Sequence, residues 1–83
     1  MEQYTVVGVQ KSEFTPKDST DVIKGMNIWG AQERKGVEGM ACERFFISEK
    51  RLGGAKVKPG DTVSISYNKW GKVEQVTVVV TGD

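Results

Sequence analysis

The residues best placed to do chemistry are flat rings set among cations. In "SYNKWGKVEQV" (66–76), Trp70 has Lys69 before it and Lys72 two residues on, with Gly71 between. A turn this short offers little core in which to bury an indole, so the ring is expected to face outward and meet a partner. Trp29, Phe46, Tyr67 and Phe14 are the other candidate rings. Interleaved with them are Lys17, Lys24, Arg34, Lys35, Arg44, Lys69 and Lys72. Rings and cations in this mixture suit a single-stranded polynucleotide: cations track phosphates, and unpaired bases stack on rings for about 1–3 kcal/mol each. The bland reading of the same residues is a solvated surface over an aromatic core.

Parity along the strands weighs one reading against the other. Phe45 and Phe46 are adjacent and point to opposite faces of a regular strand. Phe45 shares the face of Ile47 and is expected in the core, which leaves Phe46 outside beside Arg44. Trp29 alternates out of phase with Met26 and Ile28, which favours an outward ring, although a tryptophan in a small barrel can equally be core. Tyr67 shares parity with Val63 and Ile65, so core packing with a wet hydroxyl is expected.

Catalytic chemistry is poorly supplied. The chain has no histidine and one cysteine, Cys42, so neither a Ser-His nor a Cys-His pair can be built. Cys42 lies in a strand-like stretch and is expected to be a small core or interface residue. The usual zinc spacings are absent, the carboxylates are scattered among lysines, and "GGAKVKPGD" lacks the Gly-Lys-Ser/Thr ending of a phosphate loop. No enzyme activity, cofactor, metal or small-molecule substrate is expected.

The elements that must position these residues are strands. "YTVVGVQ" (4–10), "VIKGMNIWGAQ" (22–32), "ACERFFIS" (41–48), "DTVSISYN" (61–68) and "KVEQVTVVV" (72–80) are rich in β-branched and aromatic residues, with alternation strongest in the fourth. In the fifth, Val76, Val78 and Val80 share one face while Val73 and Val79 share the other, a mixed parity that suggests a bulge or a strand covered on both faces. "KPGD" (58–61) suits a type II turn, and "NKWG" (68–71) a short hairpin loop closed by a left-handed glycine. Residues 11–21 read as a long first loop, 33–39 as a second hairpin tip, and 49–56 as a brief helical turn stopped at Gly53-Gly54. The expectation is one all-β domain over 1–83, a small five-stranded antiparallel barrel of the OB type, with an SH3-like barrel as rival.

At 83 residues and a net charge of +1, the chain lacks the basic excess of a general polyanion binder. Between Glu33 and Lys58, however, seven basic residues face four acidic ones. No stretch approaches the roughly 20 apolar residues of a membrane span, and "MEQYTVVGVQ" lacks the pattern of a signal peptide. A reduced, cytoplasmic setting without membrane contact is expected.

Taken in order, "EFTPKDSTD", "KGMNIWGAQ", the "PGD" that opens the fourth strand and the aromatic-Gly tip of "KWGK" resemble the small single-stranded DNA-binding (helix-destabilising) proteins of filamentous phages and related proteins of mobile elements. The resemblance covers roughly residues 4–80. It implies an OB-type barrel that forms a homodimer and coats single strands during DNA replication without strong sequence preference. It also implies phosphate contacts at Lys17 and Lys24, base stacking on Trp29, and reach by Trp70 toward DNA held by the partner subunit. The hairpin carrying Arg34 and Lys35 would contact neighbouring dimers. That hairpin here has no aromatic tip, and acids stand in the first loop, so affinity is expected to depend strongly on salt. Preference between DNA and RNA stays open. The alternative is a protein-interaction or oligomerisation module in which the same rings form an interface and nucleic acid plays no part.

Overall fold

The computed structural model describes residues 2–82. Five strands follow one another: β1 (Glu2–Phe14), β2 (Ile23–Gln32), β3 (Ala41–Ser48), β4 (Thr62–Tyr67) and β5 (Val73–Val80). A one-turn helix, α1 (Glu49–Leu52), lies between β3 and β4. The strands form one antiparallel sheet in the order β3-β2-β1-β4-β5. The outer strands β3 and β5 touch, but no ladder joins them, so the sheet is not closed into a barrel.

Alternation builds the core. Tyr4, Val6, Ile28, Phe45, Ile47, Val63, Ile65 and Val76 pack on one side of the sheet, and Val57 from the β3–β4 connection joins them. The Tyr4 and Phe45 rings meet edge to face with centroids 4.7 Å apart. The β1–β2 register shifts between Val6 and Gly8, and this bulge switches the parity of β1. Before it, Tyr4 and Val6 face the core; after it, Val9 does. Two irregularities in the β4–β5 register, at Thr62/Val63 and Ser66/Tyr67, account for the mixed parity of the fifth strand. The second brings Val73 onto the core, while the first leaves Val80 exposed, against the expectation that it shares the face of Val76 and Val78.

The turns follow their chemistry. Asp61 N–H donates to the Lys58 carbonyl across Pro59-Gly60, with Gly60 at φ 96° as the type II geometry requires. The Asp61 side chain does more than close this turn. It is buried, accepting from Lys58 N–H at 3.0 Å and from Gly82 N–H at 2.9 Å. Backbone bonds between Val6, Gly60 and Asp61 then tie the turn to β1. At α1, Ser48 Oγ accepts from Arg51 N–H and Gly53 ends the turn in the left-handed conformation.

The first connection differs from expectation. β1 runs on to Phe14, and Lys11, Ser12, Glu13 and Phe14 pair with Met26, Gly25, Lys24 and Ile23. The polar composition of 11–14 hid this extension: Lys11 and Ser12 pair with the part of β2 that also pairs with β3, only Glu13 and Phe14 run on as a two-stranded ribbon, and the ladder to β2 satisfies the backbone without an apolar face in this segment. Cys42 is exposed on β3 and is not a core residue.

Candidate nucleic-acid interface

The ladders fix which side chains share the outer face of β1–β2–β3. Trp29 stands between Gly8 and Arg44, Asn27 between Gln10 and Phe46, and Gly25 between Ser12 and Ser48. A glycine beneath each central ring lets it lie down on the sheet. Trp29 lies over Gly8, where an added Cβ would touch the ring at 3.6 Å, an ordinary contact. Gly25 is the stricter position: a Cβ there would come within 2.5 Å of Phe46 Cζ and of the Ile47 carbonyl oxygen. The Phe46 ring meets Phe14 edge to face at 5.4 Å. Trp29, Arg44, Phe46 and Phe14 therefore occupy one continuous face, with the two central rings half-buried.

Beside this face runs a groove of about 620 Å³ between β3 and the turn end of the β4–β5 hairpin. Phe14, Phe46 and Tyr67 give it aromatic walls, and Arg44, Arg51 and Lys72 bring cations. Glu43 is the acid among its lining residues. The groove lies where β3 and β5 approach without pairing.

The hairpin loop that borders the groove is held by Asn68. Its Oδ1 accepts from Trp70 N–H at 2.9 Å and Lys72 N–H at 3.0 Å, and Gly71 takes φ 77°. Held this way, Trp70 is 72% exposed, and Lys69 Nζ sits 4.7 Å from the centre of its ring. The indole thus stands outward at the hairpin tip, as its place in the sequence implied.

Other expected site residues are scattered. Lys24 shares parity with Met26 and Ile28, so it lies on the opposite side of β2 from Trp29 and joins Lys11 and Lys56 near α1. Arg34 is engaged: it pairs with Glu43 at 2.9 Å and donates to Gln32 Oε1, and the Glu43 bond raises its pKa further. Lys35 is exposed in the β2–β3 loop and Lys17 in the loop before β2. Tyr67 is 38% exposed and not core, because the register shift next to it turns the end of β4 outward.

Glu43 also belongs to a polar cluster at the edge of the groove. The Tyr4 hydroxyl donates to Glu2 Oε2 at 2.6 Å, with Glu43 Oε2 3.3 Å away. Burial first, then the Glu2 carboxylate and the Tyr67 hydroxyl, hold the Tyr4 phenol protonated far above its ordinary range, and burial also raises the pKa of Tyr67.

Arg51 and the groove itself were not anticipated. The usable signal was the helical turn after β3: the Ser48 cap, accepting from Arg51 N–H, brings that residue into the same groove as Phe46. Among the described residues no cluster of His, Cys, Asp or Glu could hold a metal, and no helix is long and apolar enough to cross a membrane. No family model matches the chain, and no curated protein or solved structure matches it significantly.

Proposed function

We propose that this protein binds single-stranded DNA with little sequence preference, laying the strand across the outer face of β2–β3 and into the groove beside it. The observation that carries this reading is co-location. Trp29, Phe46 and Phe14 share a face with Arg44, and the groove continuing from it adds Tyr67, Arg51 and Lys72. Rings supply stacking that any base satisfies, and the cations follow the phosphates. Trp70, with Lys69, forms a clamp at the rim. The proposed set is thus Phe14, Trp29, Arg44, Phe46, Arg51, Tyr67, Lys69, Trp70 and Lys72. Lys17, Lys24, Arg34 and Lys35 stand outside it.

An OB-type barrel is the architecture we infer for the bound form. In support, the strand order would close by pairing β3 with β5, and those strands already touch. A homodimer is part of the same proposal, with Trp70 reaching toward the partner. A protein-interaction module is the competing reading, favoured by Val79 and Val80 exposed together at the end of β5.

Titration with an oligo-dT, followed by tryptophan fluorescence and by gel filtration, decides between them. Stacking quenches the indoles and shifts the complex to larger size. Unchanged fluorescence and elution at saturating oligonucleotide would remove the DNA-binding reading.

A further inference from the structure

A second cleft, of about 720 Å³, lies on the opposite side of β2 from Trp29. Its floor is Met26, Leu52 and Val57, all three also packed in or against the core. Lys11, Lys24 and Lys56 stand round its rim, exposed, and among the described residues none of them makes an ion pair. Glu13 and Glu49 also line it.

One wall of this cleft is a strand edge. β4 pairs with β1 only over Glu2 to Thr5, and Val6 bonds to Gly60 and Asp61. Among the described residues, no backbone bond joins β1 beyond Val6 to anything but β2. Along Lys11, Ser12 and Glu13, the N–H and C=O groups that turn away from β2 are therefore left unpaired beside the cleft. An exposed edge beside an apolar pocket is the arrangement by which a sheet captures an extended peptide: main-chain bonds hold the peptide, and pockets select alternate side chains.

We propose that this cleft binds an extended acidic peptide of a partner protein, added to the edge of β1, with an apolar side chain over Met26, Leu52 and Val57 and flanking carboxylates on Lys11, Lys24 and Lys56. The two glutamates on the rim select against a polynucleotide, whose phosphates repeat without interruption. They leave room for a peptide whose every second residue, on the face toward the cleft, is in turn acidic or apolar. The site does not depend on the DNA-binding face, since it uses none of the residues proposed there.

The test is fluorescence anisotropy at 150 mM salt with the labelled ten-residue peptide Ser-Asp-Ser-Leu-Ser-Asp-Ser-Leu-Ser-Asp, whose Asp and Leu residues, two apart, share the strand face laid on the cleft. Saturable binding is expected, weakened at least tenfold by the double variant Lys11→Glu/Lys56→Glu and by replacing Asp with Asn in the peptide. Both lysines are exposed, so the variant should keep the wild-type melting temperature, and oligo-dT binding should stay within twofold. Amide-exchange protection within residues 11–13 on adding peptide would report strand addition directly. No saturation by millimolar peptide overturns the proposal. So does peptide binding that the double variant leaves intact, or a loss of oligo-dT affinity in that variant as large as the loss of peptide affinity, which would make the lysines a phosphate surface.

Discussion

At the scale of single residues, two exposed or half-exposed rings differ because their surroundings differ. Trp70 is held only by its hairpin, so its loss should leave the fold alone. Trp70→Ala is expected to weaken oligo-dT binding by about 1–3 kcal/mol while the melting temperature hardly moves, as for other exposed positions. A collapse in melting temperature with binding intact would show the indole to be structural. Phe46 depends on a neighbour without a side chain. In Gly25→Ala, the new methyl meets both the Phe46 ring and the Ile47 carbonyl oxygen. The ring can swing, but the carbonyl belongs to a ladder. A destabilisation of about 1–3 kcal/mol is expected from overpacking, together with weaker oligonucleotide binding as Phe46 leaves its seat. Equal stability in urea would show that the sheet relaxes around the methyl. Opposite pointing of Phe45 and Phe46 was legible from their adjacency to Ile47. The glycine beneath Phe46 was not, because that contact crosses between strands.

At the scale of elements, strand positions could be read because each strand carries its own alternation between turn residues. Residue pairing across strands could not, and the errors trace to it. Lys11 to Phe14 look like loop until paired with β2. Val80 and Tyr67 take their burial from register shifts that depend on the neighbouring strand. The β4–β5 hairpin shows what a sequence signal can leave out. Gly71 announced the turn, but besides the backbone bonds that join Asn68 to Gly71 and Lys72, its shape is held by Asn68 Oδ1. Removing both acceptor contacts by Asn68→Ala should cost about 1–2 kcal/mol, a fall of roughly 4–16 °C for a domain of this size. Because the same bonds hold Trp70 and Lys72 in place, oligo-dT affinity should fall too. Asn68→Asp, which keeps the acceptor, should recover most of both losses. If the aspartate variant behaves like alanine, Asn68 acts by something other than accepting these bonds.

At the scale of the whole molecule, the chain is extended for its length. Its radius of gyration is 13.5 Å, against about 12 Å for a compact domain of the same size, since the β1–β2 ribbon and the hairpins reach beyond a small core. A net charge of +1 leaves little general attraction for a polyanion, so the proposed binding has to rest on local contacts. The proposed set holds four cations, Arg44, Arg51, Lys69 and Lys72. With about 0.7 counterions released per phosphate on a single strand, log affinity should fall with log salt at a slope of about −2 to −3. A slope near zero would leave stacking alone as the source of affinity.

A core this small also needs its ends fastened, and Asp61 does this from within. One carboxylate accepts from the turn at Lys58 and from Gly82 after β5, while its own backbone grips β1 through Val6. These bonds, from Gly82 first and Lys58 second, hold its pKa below the ordinary 3.8 and outweigh the opposing effect of burial. The native state thus favours the charged form more than the unfolded chain does. The resulting stability is fully present above the unfolded pKa and is lost as pH falls through the lowered native value. Asp61→Asn keeps an acceptor but brings an amide that turns N–H toward N–H, and it cannot titrate. It should melt below the wild type at pH 7. As pH drops from about 5 to below the native pKa, the wild type should approach the variant, because protonation removes the same charge that the substitution does. If the two melting curves instead stay parallel across that range, the fastening does not depend on the charge of Asp61.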